Sequence, residues 1–425
     1  MSTDYTQLLM DVQKRANIIV SSNRDVRLLK EAIDFSLDKS IGLNTLRRMF
    51  GYLERTTPSI SSLNTLARYI GYDSYARYKI NKSNHDQWYF QQSLQRIFLS
   101  KTVKKEDISI INQGLMNESN SVFFAYFLTF QIGTNNLEAL DFIFQHVKMD
   151  AIKNTELHKF ANIVSVKLNN TSEKKALKIY KTLIHYSSFR DNVPLLYVDY
   201  ANLNSRYLKI LNLIEAHGAS STDILFVSYM KLYLKFYSEQ PITNIKLKKP
   251  DGLNNLFPVL QGRYYACCIM QSKTLTPTLI AEIFEACRTL EVRYFLQEII
   301  PTLIVKEAYT LLSELINTYY EDIFETDMWG SATINSLYLI GLANANWFEN
   351  ELKLAKKNLA LVELQKVQLS YAYYVDLFFY LTQLKITYSE KNNLENAVYL
   401  KKIKQAVKKT GFTKFISEST KFILK

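Results

Sequence analysis

Three side chains in one short segment are of the kinds that read the edge of a nucleic-acid base. They are Asn44, Arg47 and Arg48, in the run Leu43-Asn44-Thr45-Leu46-Arg47-Arg48-Met49-Phe50-Gly51. Arg and Asn are the two side chains that can grip a base edge through two hydrogen bonds at once. At about 100° per residue, Leu43, Leu46, Phe50 and Leu53 form one apolar stripe of a helix. Asn44, Arg48, Gly51 and Arg55 then fall on the far side, with Arg47 on its flank, and Gly51 lets another backbone come close. The candidate contact set is Asn44, Thr45, Arg47, Arg48 and Arg55, and its chemistry would be recognition of DNA. The ordinary alternative is a solvated helix face.

A helix with an apolar side must have something to lie on, and the next segment supplies it. Pro58, Ser59, Ser62, Leu63, Leu66, Ala67, Ile70 and Gly71 stand in the order Pro-Ser-x-x-Ser-Leu-x-x-Leu-Ala-x-x-Ile-Gly. This resembles the helix that follows the recognition helix in lambda-repressor-like helix-turn-helix domains. With Gly71-Tyr72-Asp73-Ser74-Tyr75 behind it, the span is also similar to the N-terminal domain of regulator-like proteins of Bacteroidetes. The resemblance covers residues 20–80. It implies that Pro58 opens the helix, that Leu63, Leu66 and Ala67 pack under the recognition helix, that Gly71 caps its end, and that the chain is a DNA-binding transcriptional regulator. One feature departs from the family, where a tight turn of about four residues leads into the recognition helix. Here the pattern from Arg24 to Ile33 carries on through Asp34 to Ser40 before Ile41-Gly42, so either the helix or the turn is longer.

The charge is placed unevenly. The chain carries a formal +12, residues 1–85 holding thirteen Lys or Arg against eight Asp or Glu, and residues 401–425 eight Lys against Glu418 alone. The 315 residues between are neutral overall. Lys401, Lys402, Lys404, Lys408, Lys409 and Lys414 suit a phosphate-binding tail, because released counterions drive such runs onto nucleic acid without sequence preference. The alternative is a solvated terminal helix.

Composition bounds the architecture. Among 425 residues there are 11 glycines and 7 prolines, where ordinary usage of about 7% and 5% would place several times as many. With 48% hydrophobic residues the chain is globular and mostly helix. No apolar run approaches the roughly 20 residues of a membrane span, and the N-terminus lacks the pattern of a secretory signal, so the expectation is a cytoplasmic protein with no membrane contact. Cys267, Cys268 and Cys287 have no zinc or disulfide spacing. The histidines His85, His146, His158, His185 and His217 stand alone, and neither a phosphate-binding glycine loop nor a nucleophile elbow occurs. The expectation is a non-enzyme without cofactor or metal.

Beyond residue 86 helical segments alternate with short polar breaks. Several second helices open alike: Asn136-Leu137-Glu138-Ala139-Leu140, Glu173-Lys174-Lys175-Ala176-Leu177, Phe348-Glu349-Asn350-Glu351-Leu352 and Asn393-Leu394-Glu395-Asn396-Ala397. Spacings of about 38 and about 46 residues straddle the period of tetratricopeptide-like hairpin arrays, which Leu337–Leu361 resembles most. The expected fold is therefore all-α: a small helix-turn-helix-like domain (1–85) followed by an α-solenoid, with a first half at 86–245, a loop or hinge at 246–262 and a second half at 263–425 ending in a basic helix. Aromatic-rich Tyr371–Tyr380 has too many rings for one stripe and is expected to be buried all round. Such an array offers a concave surface to a peptide or protein partner. Two functions compete: a DNA-binding regulator whose repeat region senses that partner, in an arrangement similar to that of peptide-responsive regulators of Gram-positive bacteria, and a non-catalytic interaction scaffold whose N-terminal domain no longer touches DNA.

Overall fold

A computed structural model describes residues 5–37, 40–54, 56–150, 152, 154–217, 220–242, 245, 247–324 and 331–423, apart from the side chains of 81–85, 154, 155, 331 and 393. The fold is all-α, with no strand among the described residues. The chain divides into two compact units, Met1–Leu99 and Ser100–Lys425.

The first unit contains α1 (Thr6–Ala16), α2 (Asn23–Ser36), α3 (Leu43–Met49) and α4 (Ile60–Tyr69), followed by α5 (Tyr75–Ser100). The expected domain limit at residue 85 falls inside α5. Leu8, Leu9 and Val12 of α1, Val26, Leu29 and Ile33 of α2, Leu46 and Met49 of α3, and Leu63, Leu66 and Ala67 of α4 meet in one core. Each set recurs every three or four residues, which is what turns a helix into a one-sided apolar surface. Polar bonds set the start of α2 and the place of α5. The Ser22 hydroxyl accepts from the Asp25 amide (3.3 Å) while the Asp25 carboxylate accepts from the Ser22 amide (2.7 Å), a reciprocal cap that starts α2. The Tyr78 hydroxyl donates to Asp11 (2.6 Å) and the Tyr75 amide to Asn64 (2.8 Å), tying the start of α5 to α1 and α4.

The second unit holds α6 (Lys105–Leu115), α7 (Ser121–Thr134), α8 (Leu137–His146), α9 (Asn154–Asn169), α10 (Glu173–Leu183), α11 (Ser187–Arg190), α12 (Arg206–Ala216) and α13 (Ser221–Tyr237). It continues with α14 (Pro258–Gln271), α15 (Pro277–Thr289), α16 (Val292–Val305), α17 (Tyr309–Thr318), α18 (Tyr320–Phe324), α19 (Ser331–Phe348) and α20 (Leu352–Ala360). It ends with α21 (Ala372–Ser389), α22 (Asn393–Thr410) and α23 (Lys414–Thr420). Helices pack mainly on the next and on the next but one: α7 on α8 and α9, α14 on α16, α17 on α19, and α19 on α20 and α21, while α16 also reaches α19. The recurring openings read in the sequence sit at the starts of α8, α10, α20 and α22, and Asn136 and Asn392 cap two of them by accepting from the amides of Ala139 and Glu395.

The succession does not stay open. The short turn Tyr200–Asn202 packs on α21 and α22, and α23 packs on α13, so the chain's last helices return to its middle. Tyr200 stacks on Tyr374 (4.3 Å between ring centres), and Tyr237 stacks on Phe412 (5.0 Å) and Phe415 (5.8 Å). At the centre of this contact the buried guanidinium of Arg263 meets the buried carboxylate of Glu298 at 3.0 Å, and the hydroxyls of Tyr200 (3.2 Å) and Tyr233 (3.1 Å) donate to the same carboxylate. Desolvation, with the Glu298 charge beside them, holds both phenols well above their ordinary pKa, which keeps them donors. Tyr374 and Phe378 of α21 are buried and Tyr371, Phe379 and Tyr380 half-buried, whereas Tyr373 reaches solvent.

Residues 246–262, expected as a hinge, include the first turn of α14 from Pro258 onward, and Lys246 lies outside the described residues. Gly262 is buried there against the Phe295 carbonyl, and a Cβ would collide with it. The close approach of α14 and α16 needs that glycine.

One buried group has no counterpart in the periodicity of the sequence. Lys385 of α21 is 1% exposed, its ammonium donating to the Tyr309 hydroxyl (2.7 Å) and the side-chain Oδ1 of Asn344 (2.9 Å) and lying 5.5 Å from the centre of the Trp347 ring. Burial pushes this amine down to about 7 from an ordinary 10.5, against the smaller upward pull of Glu307 and Glu418. Between those two values the unfolded chain holds a proton that the folded chain does not, so the cost of burying Lys385 fades as the pH rises through that window. Lys385→Met is expected to stabilise the protein at pH 7 by about 1–4 kcal/mol. Thermal denaturation should show a Tm gap over the unsubstituted chain that narrows toward about pH 10; a gap of opposite sign, or one independent of pH, contradicts the account.

Candidate nucleic-acid interface

The position of α3 follows from how it ends. At Gly51 the backbone turns to φ +81°, the Gly51 amide donates to the Arg48 carbonyl (3.2 Å) and the Tyr52 amide to the Arg47 carbonyl (2.8 Å). This pattern closes a helix through a left-handed residue, which glycine adopts without strain. The helix expected to run through Leu53 therefore stops at Met49, and Leu53 is exposed. Gly51 is thus the end of the helix rather than part of its polar face. Gly71, at φ +94°, closes α4 in the same way, while the cap of α4 is Ser59, one residue after Pro58.

With Leu46 and Met49 buried, the opposite side of α3 is left to its polar residues. Asn44 and Arg48 are exposed one turn apart, and Arg47 lies half-buried beside them, its Nη1 donating to Asn44 Oδ1 at 3.3 Å. Arg47 Nε is enclosed and has no partner among the described residues. Arg48 has no side-chain hydrogen bond or ion pair among them. The structure thus brings Asn44, Arg47 and Arg48 into one strip. Thr45 is half-buried on the flank, and Arg55 lies outside the described residues. Both arginines also sit in the last turn of α3, where a cation is favoured by the helix dipole whatever else it does.

The approach to α3 differs from a tight turn. Helix α2 ends at Ser36 and Leu37 is extended, so residues 37–42 connect it to α3. The departure noted in the sequence is therefore a longer connection, not a longer helix. At seven residues α3 is about 10 Å long.

Two other exposed cations of this unit lie beyond the reach of the periodicity argument, and both are engaged. The Arg15 guanidinium lies 5.6 Å from the centre of the Tyr69 ring, and Arg68 Nε donates to the Asp73 carbonyl at 3.2 Å. Elsewhere the four histidines whose side chains are described are turned to their own surroundings: His146 and His217 bond the carbonyls of Phe142 and Leu213 four residues back, His185 lies against Tyr186, and burial lowers the pKa of His158. Among the described residues no three His, Cys, Asp or Glu come together as metal ligands, and no helix is long and apolar enough to cross a membrane.

Compared with protein families, with curated proteins and with solved structures, the chain matches none.

The geometry at Gly51 generates its own test. Gly51→Ala places a Cβ on a left-handed residue, and the loss is expected to be about 1 kcal/mol. Hydrogen exchange should accelerate at the amides of α3 and not at those of α21; unchanged exchange at α3 means that the helix end does not depend on this turn.

Proposed function

We propose that the chain is a DNA-binding transcriptional regulator, with the first unit acting as a helix-turn-helix-like domain and α3 as its recognition helix. The observation that carries this reading is the strip of Asn44, Arg47 and Arg48 on the solvent side of α3, in which Arg47 already bonds Asn44 and Arg48 is uncommitted among the described residues. Side chains able to form paired hydrogen bonds, held on a short rigid element, are what base-edge recognition requires. Thr45 at the flank suits a phosphate contact, which positions without specifying. The second unit we read as a non-catalytic, tetratricopeptide-like hairpin array that receives a peptide or protein partner, with the whole protein working in the cytoplasm. Because its middle is occupied by its own Tyr200, Tyr233 and Tyr374, the partner is assigned to its outside, where Tyr126 of α7 is 52% exposed.

A second reading, an interaction scaffold whose first unit does not bind DNA, draws on the six-residue connection before α3 and on the shortness of α3. One experiment separates the two. Duplexes selected from a random pool by the full chain are compared with scrambled duplexes, for the unsubstituted protein and for Arg47→Ala/Arg48→Ala. The regulator reading expects discrimination that falls by about 1–3 kcal/mol for each base-contacting arginine, with circular dichroism unchanged. Equal affinity of both proteins for both duplexes leaves the scaffold.

A further inference from the structure

The basic C-terminal region is not a tail. Helix α22 packs along α21 through Asn396, Ile403, Ala406 and Thr410, all buried, and α23 seats Phe415 on Tyr237 and Phe378. The fold sorts the lysines of this region into two kinds. Lys414 bridges to Glu418 (3.4 Å) and lies over the Phe236 ring, while Lys421 bridges to Glu307 (3.0 Å) and Glu418 (2.6 Å), so these two serve the unit's own packing. Lys401, Lys402, Lys404, Lys408 and Lys409 are all exposed on the outer side of α22, and none has a carboxylate within 4 Å of its ammonium among the described residues. No Asp or Glu occurs between Glu395 and Glu418, so no carboxylate stands among them along the helix, and of the carboxylates on the neighbouring α21 Asp376 feels the charge of Lys402.

We infer that the outer face of α22 from Lys401 to Lys409 is a binding surface for the phosphate backbone of nucleic acid, engaged without regard to base sequence. The argument is one of charge and of what is missing between the charges. Residues 401–409 rise about 12 Å along a helix, and duplex DNA presents a phosphate charge about every 1.7 Å of its axis, so several phosphates face the row at once. A membrane surface would ask for apolar side chains interleaved with the cations. Here Ile403 and Ala406 are buried and Val407 half-buried, and the exposed Leu394 and Val398 lie before the lysines rather than among them. The face is built for a hydrated polyanion. Its choice of nucleic acid rests on the reading of α3 as a DNA contact, and the two are separable because phosphate contacts set the salt dependence of binding while base contacts set its specificity.

The test uses the full chain and a random-sequence duplex across a salt series. Lys401→Gln/Lys402→Gln/Lys408→Gln/Lys409→Gln alters only exposed side chains, and circular dichroism and Tm confirm that the fold is kept. The slope of log affinity against log salt is expected to fall by about 2–4, with the preference for selected over scrambled duplexes unchanged. Arg47→Ala/Arg48→Ala should do the reverse, and a chain that shows the lysine-dependent slope but no discrimination retains this surface while losing the reading of α3. An unchanged slope in the quadruple variant, no binding of random duplex at any salt, or lysine-dependent capture by anionic vesicles in place of duplex each overturns the inference.

Discussion

A carboxylate removed from water must be matched on every side, and Glu298 is the point where that demand organises the second unit. Its partners come from across the chain: Arg263 on α14, Tyr200 on the turn before α12 and Tyr233 on α13. Removing any one leaves a buried charge or donor without its match, which costs more than the pair itself contributes. The requirement is geometric as well as electrostatic. Glu298 reaches Arg263 because Gly262 allows α14 to lie against α16, and Tyr200 is placed by its stacking on Tyr374 of α21. A row of helical hairpins held only by contacts between neighbours has no such obligation. This one has an aromatic and ionic centre that joins its middle to its end.

The first unit uses a different device. Its helices are delimited by local bonds: Ser22 with Asp25 at the start of α2, Ser59 at the start of α4, and left-handed glycines after α3 and α4. These short-range choices decide which residues of α3 face the core and where the helix stops, and so which polar side chains remain outside. The proposed function is a consequence of that division, since Leu46 and Met49 inside leave Asn44, Arg47 and Arg48 outside.

Much of this was legible in the sequence. The scarcity of glycine and proline pointed to an all-helical chain, the resemblance to helix-turn-helix domains to the packing of Leu63, Leu66 and Ala67, and the openings at Asn136 and Asn393 to helix starts. Periodicity could not show that α3 would end at Met49. A stripe continuing through Phe50 and Leu53 looks the same whether Gly51 is helical or left-handed, and only the bonds to the Arg47 and Arg48 carbonyls decide it. Nor could it show the closure of the second unit, because Glu298, Arg263 and Tyr200 are neighbours only in space. Lys385 is hidden for the same reason: a single lysine in an apolar helix reads as its solvent side until Tyr309 and Asn344 are seen around it.

Hydrogen exchange of the full chain, alone and saturated with a selected duplex, tests the central claim most directly. If α3 reads base edges, amides of residues 43–53 should be protected by the selected duplex and not by a simple polyanion at equal charge, because only the duplex holds the helix in a groove. Protection confined to α22, or found equally with both ligands, would contradict the assignment of α3 as the recognition element.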